Sequence, residues 1–348
     1  MKILLTNFFV CLLLALVAIL INMQFAKRGT QFFLFTSFIL LLLIYSFSDP
    51  MSTCDLPSYK ETFDSIQFYQ VNWNSILDNY MEPGWIILCK IISSTTKNFN
   101  IFLFVYGIIL LFCYYKTMYK YSHYAILSVL IFILVIFNGS IFILRQNLAM
   151  ALCIASVPFV ISRDFKRFLI LVIIAFLLHR TAIVFIPIYF LYSLKTTKQY
   201  LILFLSVILA SSVFLALLNG FISQSNKYGI YTAEGLTITN FAIASVITFF
   251  YIFFLRKEAL KEGINRIILI SLGVTLCSYI MLLNKDGVFV RLLSYYTTMY
   301  ILAIPKTAEY IKSTPVRYAY IIGVISSYFL TSFIIGDTSC LTSFKLLF

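Results

Sequence analysis

The residues most able to do chemistry lie in the run 137–150, between two strongly apolar stretches. Arg145 carries a permanent charge there, and Gln146 and Asn147 follow it directly. An arginine near a bilayer core costs about 2.5–3.5 kcal/mol on insertion scales, so such a residue usually faces a polar cavity and has a function in it. The run therefore predicts that Arg145 faces a polar cavity and has a function in it.

Two further arginines, Arg180 and Arg291, are also closely flanked by apolar sequence, and His179 adjoins the first of them. All three arginines fall at the same end of predicted membrane spans, so separate segments bring cations to one level of the membrane. A guanidinium group binds phosphate oxygens with two parallel bonds and keeps its charge at any working pH. The pattern favours a lipid diphosphate as ligand. Two or three arginines would balance the negative charge of the diphosphate as it leaves, without a metal. A span-end arginine can also extend to lipid headgroups, and that interpretation stays open for Arg180 and Arg291.

Acidic and aromatic residues accompany these cations on the same side. Asp55 precedes a segment in which Tyr59 and Phe63 share one helical face, and Glu82 precedes Pro83. Aromatic rings among carboxylates suit sugar stacking, although such rings also populate membrane interfaces. Glu82 fits either a catalytic carboxylate or a simple charge at a helix N-terminus.

The composition indicates which elements must position these residues. The chain has 348 residues, is 61% hydrophobic and 11% charged, and carries a net charge of +13. Its mean hydropathy is +0.97. A soluble domain would carry about twice that charged fraction. Because lysine and arginine lie in short loops between apolar runs, the positive charge reports membrane orientation rather than a nucleic-acid partner. We predict an all-α polytopic integral membrane protein.

The apolar runs predict about 12 transmembrane helices in a single transmembrane domain, 1–348. Ten spans are predicted at 3–21, 32–47, 99–115, 124–137, 148–161, 200–218, 241–255, 267–283, 288–304 and 318–335. A large outer loop at 48–98 holds a short re-entrant or interfacial helix near 84–92, which is too short to cross about 30 Å of hydrocarbon. A second outer loop is predicted at 219–240.

The segment 168–192 is ambiguous, since it fits one span or two short helices that meet at His179-Arg180-Thr181. Two helices place 16 of the 26 basic residues in inner loops, whereas one long span would move nine of them outside. The positive-inside bias therefore favours a hairpin with His179 and Arg180 at its outer end.

The sequence predicts no cofactor and no metal. It has no Gly-rich phosphate loop and no Asp-x-Asp motif, and its seven cysteines show no metal-ligand spacing. Cys54, Cys89 and Cys340 fall on the outer side, where one disulfide is an open alternative.

Five short motifs occur in order along most of the chain. They are Asp55-Leu56-Pro57-Ser58-Tyr59, Glu82-Pro83-Gly84-Trp85, Arg145-Gln146-Asn147-Leu148-Ala149, His179-Arg180-Thr181-Ala182 and Arg291-Leu292-Leu293-Ser294-Tyr295. Together they resemble the EpsG family of Wzy-type polysaccharide polymerases.

The resemblance implies a GT-C-like, metal-independent glycosyltransferase of the bacterial cytoplasmic (inner) membrane with its active site facing outside. Such enzymes join oligosaccharide repeat units carried on undecaprenyl diphosphate into O-antigen, capsule or exopolysaccharide. Expected partners are the lipid-linked oligosaccharides, membrane lipids and a chain-length regulator protein, with no nucleic acid.

The motif residues divide into three expected roles. The diphosphate-binding residues are Arg145, Arg291 and Arg180. The catalytic candidates are His179 as the first choice of base, with Asp55 and Glu82 in reserve, because a histidine can serve as a base near neutral pH. The sugar-binding candidates are Tyr59, Trp85, Gln146, Asn147 and Tyr295.

Two other functions fit a polytopic chain. A flippase for lipid-linked oligosaccharides would show charged residues at mid-membrane and repeated halves, whereas the unusual cations here gather at one face and no halves repeat. A membrane O-acyltransferase would show a His or Arg cluster on the inner side, where His123 is the one candidate histidine. Both functions remain alternatives to the polymerase.

Overall fold

The computed structural model describes residues 27–51, 55–66, 81–196, 198–199, 202, 236–261, 263–282, 288–331 and 346–347. Every regular element within these ranges is a helix, and the one strand-like pairing there joins Ser48 to Leu346. The prediction of an all-helical protein is therefore confirmed. The predicted span 3–21 lies outside the described residues, as does 200–218 except for residue 202.

Fourteen α-helices follow one another along the described ranges. They are α1 Lys27–Ser46, α2 Leu56–Ile66, α3 Pro83–Ser93, α4 Phe99–Tyr121, α5 Ala125–Phe132, α6 Asn138–Phe142, α7 Leu144–Ile161, α8 Phe165–Leu178, α9 Pro187–Leu191, α10 Leu236–Leu255, α11 Ile264–Leu282, α12 Val288–Thr297, α13 Tyr300–Tyr310 and α14 Thr314–Leu330. A π-helical segment, Ile133–Phe137, joins α5 to α6, and 3₁₀ segments cover Arg180–Phe185 and Arg256–Leu260.

Five helical stretches in the described ranges are long and apolar enough to cross a membrane. They are Gly29–Ser46, Phe99–Tyr121, Ala125–Phe142, Leu144–Ile161 and Ile238–Leu255. This finding supports a helical membrane protein, while the predicted total of about 12 spans stays a prediction. The short helix expected near 84–92 is present as α3, whose 11 residues extend about 16 Å.

Several predicted spans differ from the structure in where they begin or in whether they are continuous. The span predicted at 148–161 begins earlier, at Leu144, so its first turn includes Arg145. Polar side chains in that turn conceal the helix from a search for apolar runs. The span predicted at 288–304 is interrupted at Thr298 and Met299 and resumes as α13. Helix α10 begins at Leu236, inside the range predicted as the second outer loop.

The chain divides into two compact units. Unit 1 comprises Met1–Ser156, Lys166–Ile183 and Asp337–Phe348, and unit 2 comprises Val157–Phe165 and Val184–Gly336.

Close packing in unit 1 anchors the chain just before α7. Helix α1 packs on α4, where a Cβ at Gly107 would lie only 2.9 Å from Tyr45 Cδ2. Small residues of this kind let membrane helices approach closely. The Tyr45 hydroxyl bonds to the Ser140 hydroxyl, and the Tyr106 hydroxyl donates to the Ser140 carbonyl oxygen at 2.8 Å. These bonds fix α6 and therefore the point at which α7 starts.

The ambiguous segment consists of short helices with a break at His179. Helix α8 has 14 residues and is about 21 Å long, too short to span the bilayer. After the break the chain continues through the 3₁₀ segment into α9. In unit 2, the first residue of α8 and the turn before it contact α9: the rings of Phe165 and Tyr189 are 4.9 Å apart, and Arg163 Nη1 donates to the Tyr189 carbonyl oxygen at 2.9 Å. The predicted pair of short helices meeting at His179-Arg180-Thr181 is confirmed.

Two arginines of unit 2 donate side-chain hydrogen bonds to backbone carbonyl oxygens at the ends of helices. Arg266 donates from Nε and Nη2 to the Leu260 carbonyl oxygen at 3.1 and 2.8 Å. Arg317 bonds in the same way to the Ile311 carbonyl oxygen at 3.0 and 2.7 Å. Because the last carbonyls of a helix lack partners within it, these side chains stabilise the turns that follow.

Of the three cysteines considered for a disulfide, Cys89 lies among the described residues. Cys89 is a fully buried free thiol in α3. Cys54 and Cys340 lie outside the described residues.

Candidate functional site

The site is built around Glu82, which precedes α3. Pro83 occupies the first turn of that helix, and the Glu82 carbonyl oxygen accepts the backbone N–H groups of Trp85 and Ile86 at 3.0 and 3.2 Å. The Glu82 side chain makes no capping bond to its own helix. Only 8% of this side chain is exposed, so its carboxylate is buried against other segments.

Arg145 reaches Glu82 from the first turn of α7. The chain breaks from helical geometry at Ile143 and starts α7 at Leu144. Arg145 Nη1 then donates to Glu82 Oε2 as a buried ion pair, with 18% of the arginine side chain exposed. A cation is unfavourable beside the positive end of a helix. The negative charge of the Glu82 carboxylate offsets this cost. Because Glu82 itself precedes α3, the positive end of that helix favours its charge.

His179 approaches the same carboxylate from the end of α8. Its backbone N–H donates to the Ala175 carbonyl oxygen at 2.8 Å, which continues the last turn of the helix. Its Nδ1 lies 2.9 Å from Glu82 Oε1, and 20% of its side chain is exposed. The backbone N–H of Arg180 also donates to Glu82 Oε1, at 3.4 Å, while the Arg180 side chain is exposed. Three sequence segments therefore meet at one carboxylate, and we call Glu82, Arg145 and His179 the triad.

The charge state of Glu82 fixes the tautomer of His179. Burial by itself raises the pKa of Glu82, but the hydrogen bond from His179 and the charge of Arg145 outweigh it and lower this pKa to about 2. An ionised carboxylate only accepts hydrogen bonds. His179 must therefore donate from Nδ1, so a neutral His179 carries its basic lone pair on Nε2.

Gly84 makes this meeting of helices possible. A Cβ at position 84 would lie 2.7 Å from the Leu177 carbonyl oxygen and 2.9 Å from its Cβ. Backbone atoms cannot move aside as a flexible side chain can, so any larger residue would separate α3 from the end of α8. Glu82 and His179 flank this contact in sequence.

Substitution of Gly84 by alanine is expected to lower activity at least tenfold, because shifts of about 1 Å at a site cost about that much or more. The measurement is the activity that the resemblance implies, as polymer formed per molecule of protein in the membrane. Gly323→Ala is the matched control, since a Cβ there meets no atom within 4 Å. Equal activity in both variants would show that the α3–α8 approach does not matter.

Two aromatic sugar-binding candidates, Tyr59 and Trp85, are buried in unit 1. Trp85 has no exposed surface, and Tyr59 is 5% exposed. Their rings lie 5.4 Å apart, and Trp85 also packs at 5.4 Å on Phe102. The Arg145 guanidinium carbon lies 5.8 Å from the Tyr59 ring centroid. These contacts favour a supporting role under Arg145 over direct stacking on a sugar, which stays a prediction.

The remaining candidates of unit 1 are less closely connected to the triad. Gln146 and Asn147 are 4% and 6% exposed, and the Asn147 side chain donates to the Ile143 carbonyl oxygen at 2.9 Å. Asp55 is exposed just before α2, and its carbonyl oxygen accepts the Tyr59 N–H at 3.2 Å. Within the described ranges, no bond joins Asp55 to the triad.

Two candidates belong to unit 2. Arg291 lies within α12, and its side chain is outside the described part of the structure. Tyr295 is on the same helix and has no exposed surface. Their expected roles stay predictions. Among the described residues, no three His, Cys, Asp or Glu side chains form a metal-binding group.

The EpsG family model matches residues 31–345, nearly the whole chain. The chain belongs to the EpsG family. Members of the EpsG family are Wzy-type polymerases, so the family expected from the five motifs is confirmed. No curated protein and no solved structure matches the chain. The EpsG match includes the triad and Arg180, and it supports a membrane protein with a polysaccharide polymerase type of function.

Proposed function

We propose that the protein is a glycosyltransferase that joins undecaprenyl-diphosphate-linked oligosaccharide repeat units at the outer face of the bacterial cytoplasmic membrane. The observation that carries the proposal is the triad, which combines a phosphate-binding cation with an oriented imidazole in a chain of the EpsG family. The product would be O-antigen, capsule or exopolysaccharide.

The chemistry follows from a donor that is already activated. The bond between the anomeric carbon and the diphosphate breaks, and the diphosphate leaves with the bonding electrons. An acceptor hydroxyl forms the new glycosidic bond and loses its proton to His179 Nε2. Arg145 stabilises the leaving diphosphate, because charge-assisted bonds to phosphate are strongest where charge develops. No step requires a cofactor or a metal in this proposal.

The other candidates take secondary roles. Arg180 is suited to the diphosphate because its exposed side chain adjoins His179. Arg291 keeps the diphosphate-binding role that the resemblance implies. Asp55 is a candidate for binding sugar hydroxyls, since exposed carboxylates accept such bonds. Tyr59 packs against the Arg145 guanidinium group, and Trp85 packs against Tyr59. A chain-length regulator protein is a proposed partner.

The test is a gel of surface glycan from cells that lack the gene, with and without the gene restored. We expect the long ladder to collapse to lipid core carrying one repeat unit, because export and ligation continue without polymerisation. Restoring the gene should restore the ladder. Loss of all repeat units would favour a flippase instead. An unchanged ladder would contradict a polymerase and direct attention to acyl groups on the polymer.

A further inference from the structure

Glu82 engages both other members of the triad and the backbone of Arg180. Its Oε1 accepts from His179 Nδ1 at 2.9 Å and from the Arg180 N–H at 3.4 Å, while its Oε2 accepts from Arg145. A carboxylate that acts on a substrate needs access to it and affinity for a proton. Glu82 is 8% exposed, and its pKa of about 2 makes it a weak base. Its contacts therefore suit a different role from the catalytic one expected from sequence.

We infer that Glu82 is a positioning residue with two tasks: it holds His179 in the Nδ1–H tautomer, and it restrains Arg145 until the diphosphate of a lipid donor takes its place. The inference rests on the proposed function.

The second task follows from competition for one guanidinium group. Glu82 and a diphosphate are both anions that bind arginine through the same N–H donors. The Nη1 N–H group that bonds to Glu82 is not available to the diphosphate while that ion pair holds, and the carboxylate beside it repels an incoming anion. The carboxylate therefore weakens diphosphate binding, and once the diphosphate has taken Arg145 the charge of Glu82 acts mainly on His179.

The two tasks predict opposite effects of one substitution. Glu82→Gln keeps the shape of the side chain and removes its charge. We expect kcat to fall about 30-fold, because the amide no longer fixes the tautomer of His179. We expect undecaprenyl diphosphate to bind about fivefold more tightly, because Arg145 loses its competing anion. A purely structural role would weaken catalysis and binding together.

The experiment uses the full chain in lipid nanodiscs. Polymer formation is measured with lipid-linked repeat units extracted from cells that lack the gene, and the Kd is measured with undecaprenyl diphosphate. Glu82→Asp, which keeps the charge on a shorter side chain, should recover part of kcat. Glu61→Gln is the matched control, because Glu61 is exposed on α2 and should leave both quantities unchanged. Thermal unfolding of each variant verifies that it is folded.

The possible outcomes separate the inference from the proposed function. A lower kcat with a lower Kd in Glu82→Gln supports the inference. Weaker or unchanged binding of undecaprenyl diphosphate by a folded Glu82→Gln overturns it, and so does an unchanged kcat. If the unsubstituted protein neither binds undecaprenyl diphosphate nor forms polymer, the proposed function itself fails.

Discussion

Replacement of Arg145 by alanine is expected to abolish long polymer while the protein remains in the membrane. The expected loss is at least about 1,000-fold, because in the proposed mechanism the variant lacks the cation that balances the leaving diphosphate. The measurement is the surface-glycan ladder, together with the amount of protein in the membrane fraction. Arg256→Ala is a suitable control, since Arg256 is exposed and, among the described residues, its side chain makes no hydrogen bond or ion pair and lies over the Phe253 ring at 5.9 Å.

The lysine variant tests why an arginine is needed. Arg145→Lys keeps the positive charge but replaces the planar fork with a single ammonium group, which cannot bind two phosphate oxygens in parallel. We therefore expect it to restore little polymer. Near-normal polymer from Arg145→Lys would contradict bidentate phosphate binding.

Loss of Arg145 also leaves the buried Glu82 charge without its ion-pair partner, which is destabilising in its own right. The double variant Arg145→Ala/Glu82→Gln removes both charges and so removes that penalty. We expect the double variant to remain inactive. Recovery of polymer in it would mean that Arg145 serves only to neutralise Glu82.

The sequence predicts the three residues of the triad as candidates. It does not predict that Arg145 and His179 both bond to the Glu82 carboxylate. The apolar flanks of Arg145 and His179 marked both as unusual, and the hairpin turn at His179 followed from charge counting. Glu82 was expected to be a reserve base or a helix charge. Its partners lie 63 and 97 residues away in the chain, and local patterns carry no information at such separations.

The burial of the Tyr59 and Phe63 rings is a second property that local sequence patterns do not predict. An i, i+4 pair such as Tyr59 and Phe63 marks one face of a helix whether that face meets a sugar or a protein core. The structure places both rings in the core of unit 1, where Phe63 packs at 5.3 Å on Phe102. The role of Gly84 was also missed, although a glycine just after a helix-starting proline is a signal for close backbone approach.

Replacement of His179 by asparagine is expected to reduce kcat about 1,000-fold, the usual range for loss of a general base. An asparagine amide can still donate to Glu82 from the position of Nδ1, so the carboxylate keeps a partner. It offers no basic nitrogen in the position of Nε2, so the acceptor hydroxyl cannot transfer its proton there. The measurement is the rate of polymer formation in nanodiscs across a range of pH.

The pH profile distinguishes a base from a packing residue. In the unsubstituted protein, activity should decline on the acid side, because a general base that already holds a proton cannot accept another, whereas the residual activity of His179→Asn should lack that decline. Glu82 contributes nothing to it, because its pKa of about 2 lies below the range tested. His123, the one other histidine, is exposed, and His123→Gln should leave the profile unchanged. An acid-side decline that persists in His179→Asn would assign the proton to another group, with Asp55 the next candidate.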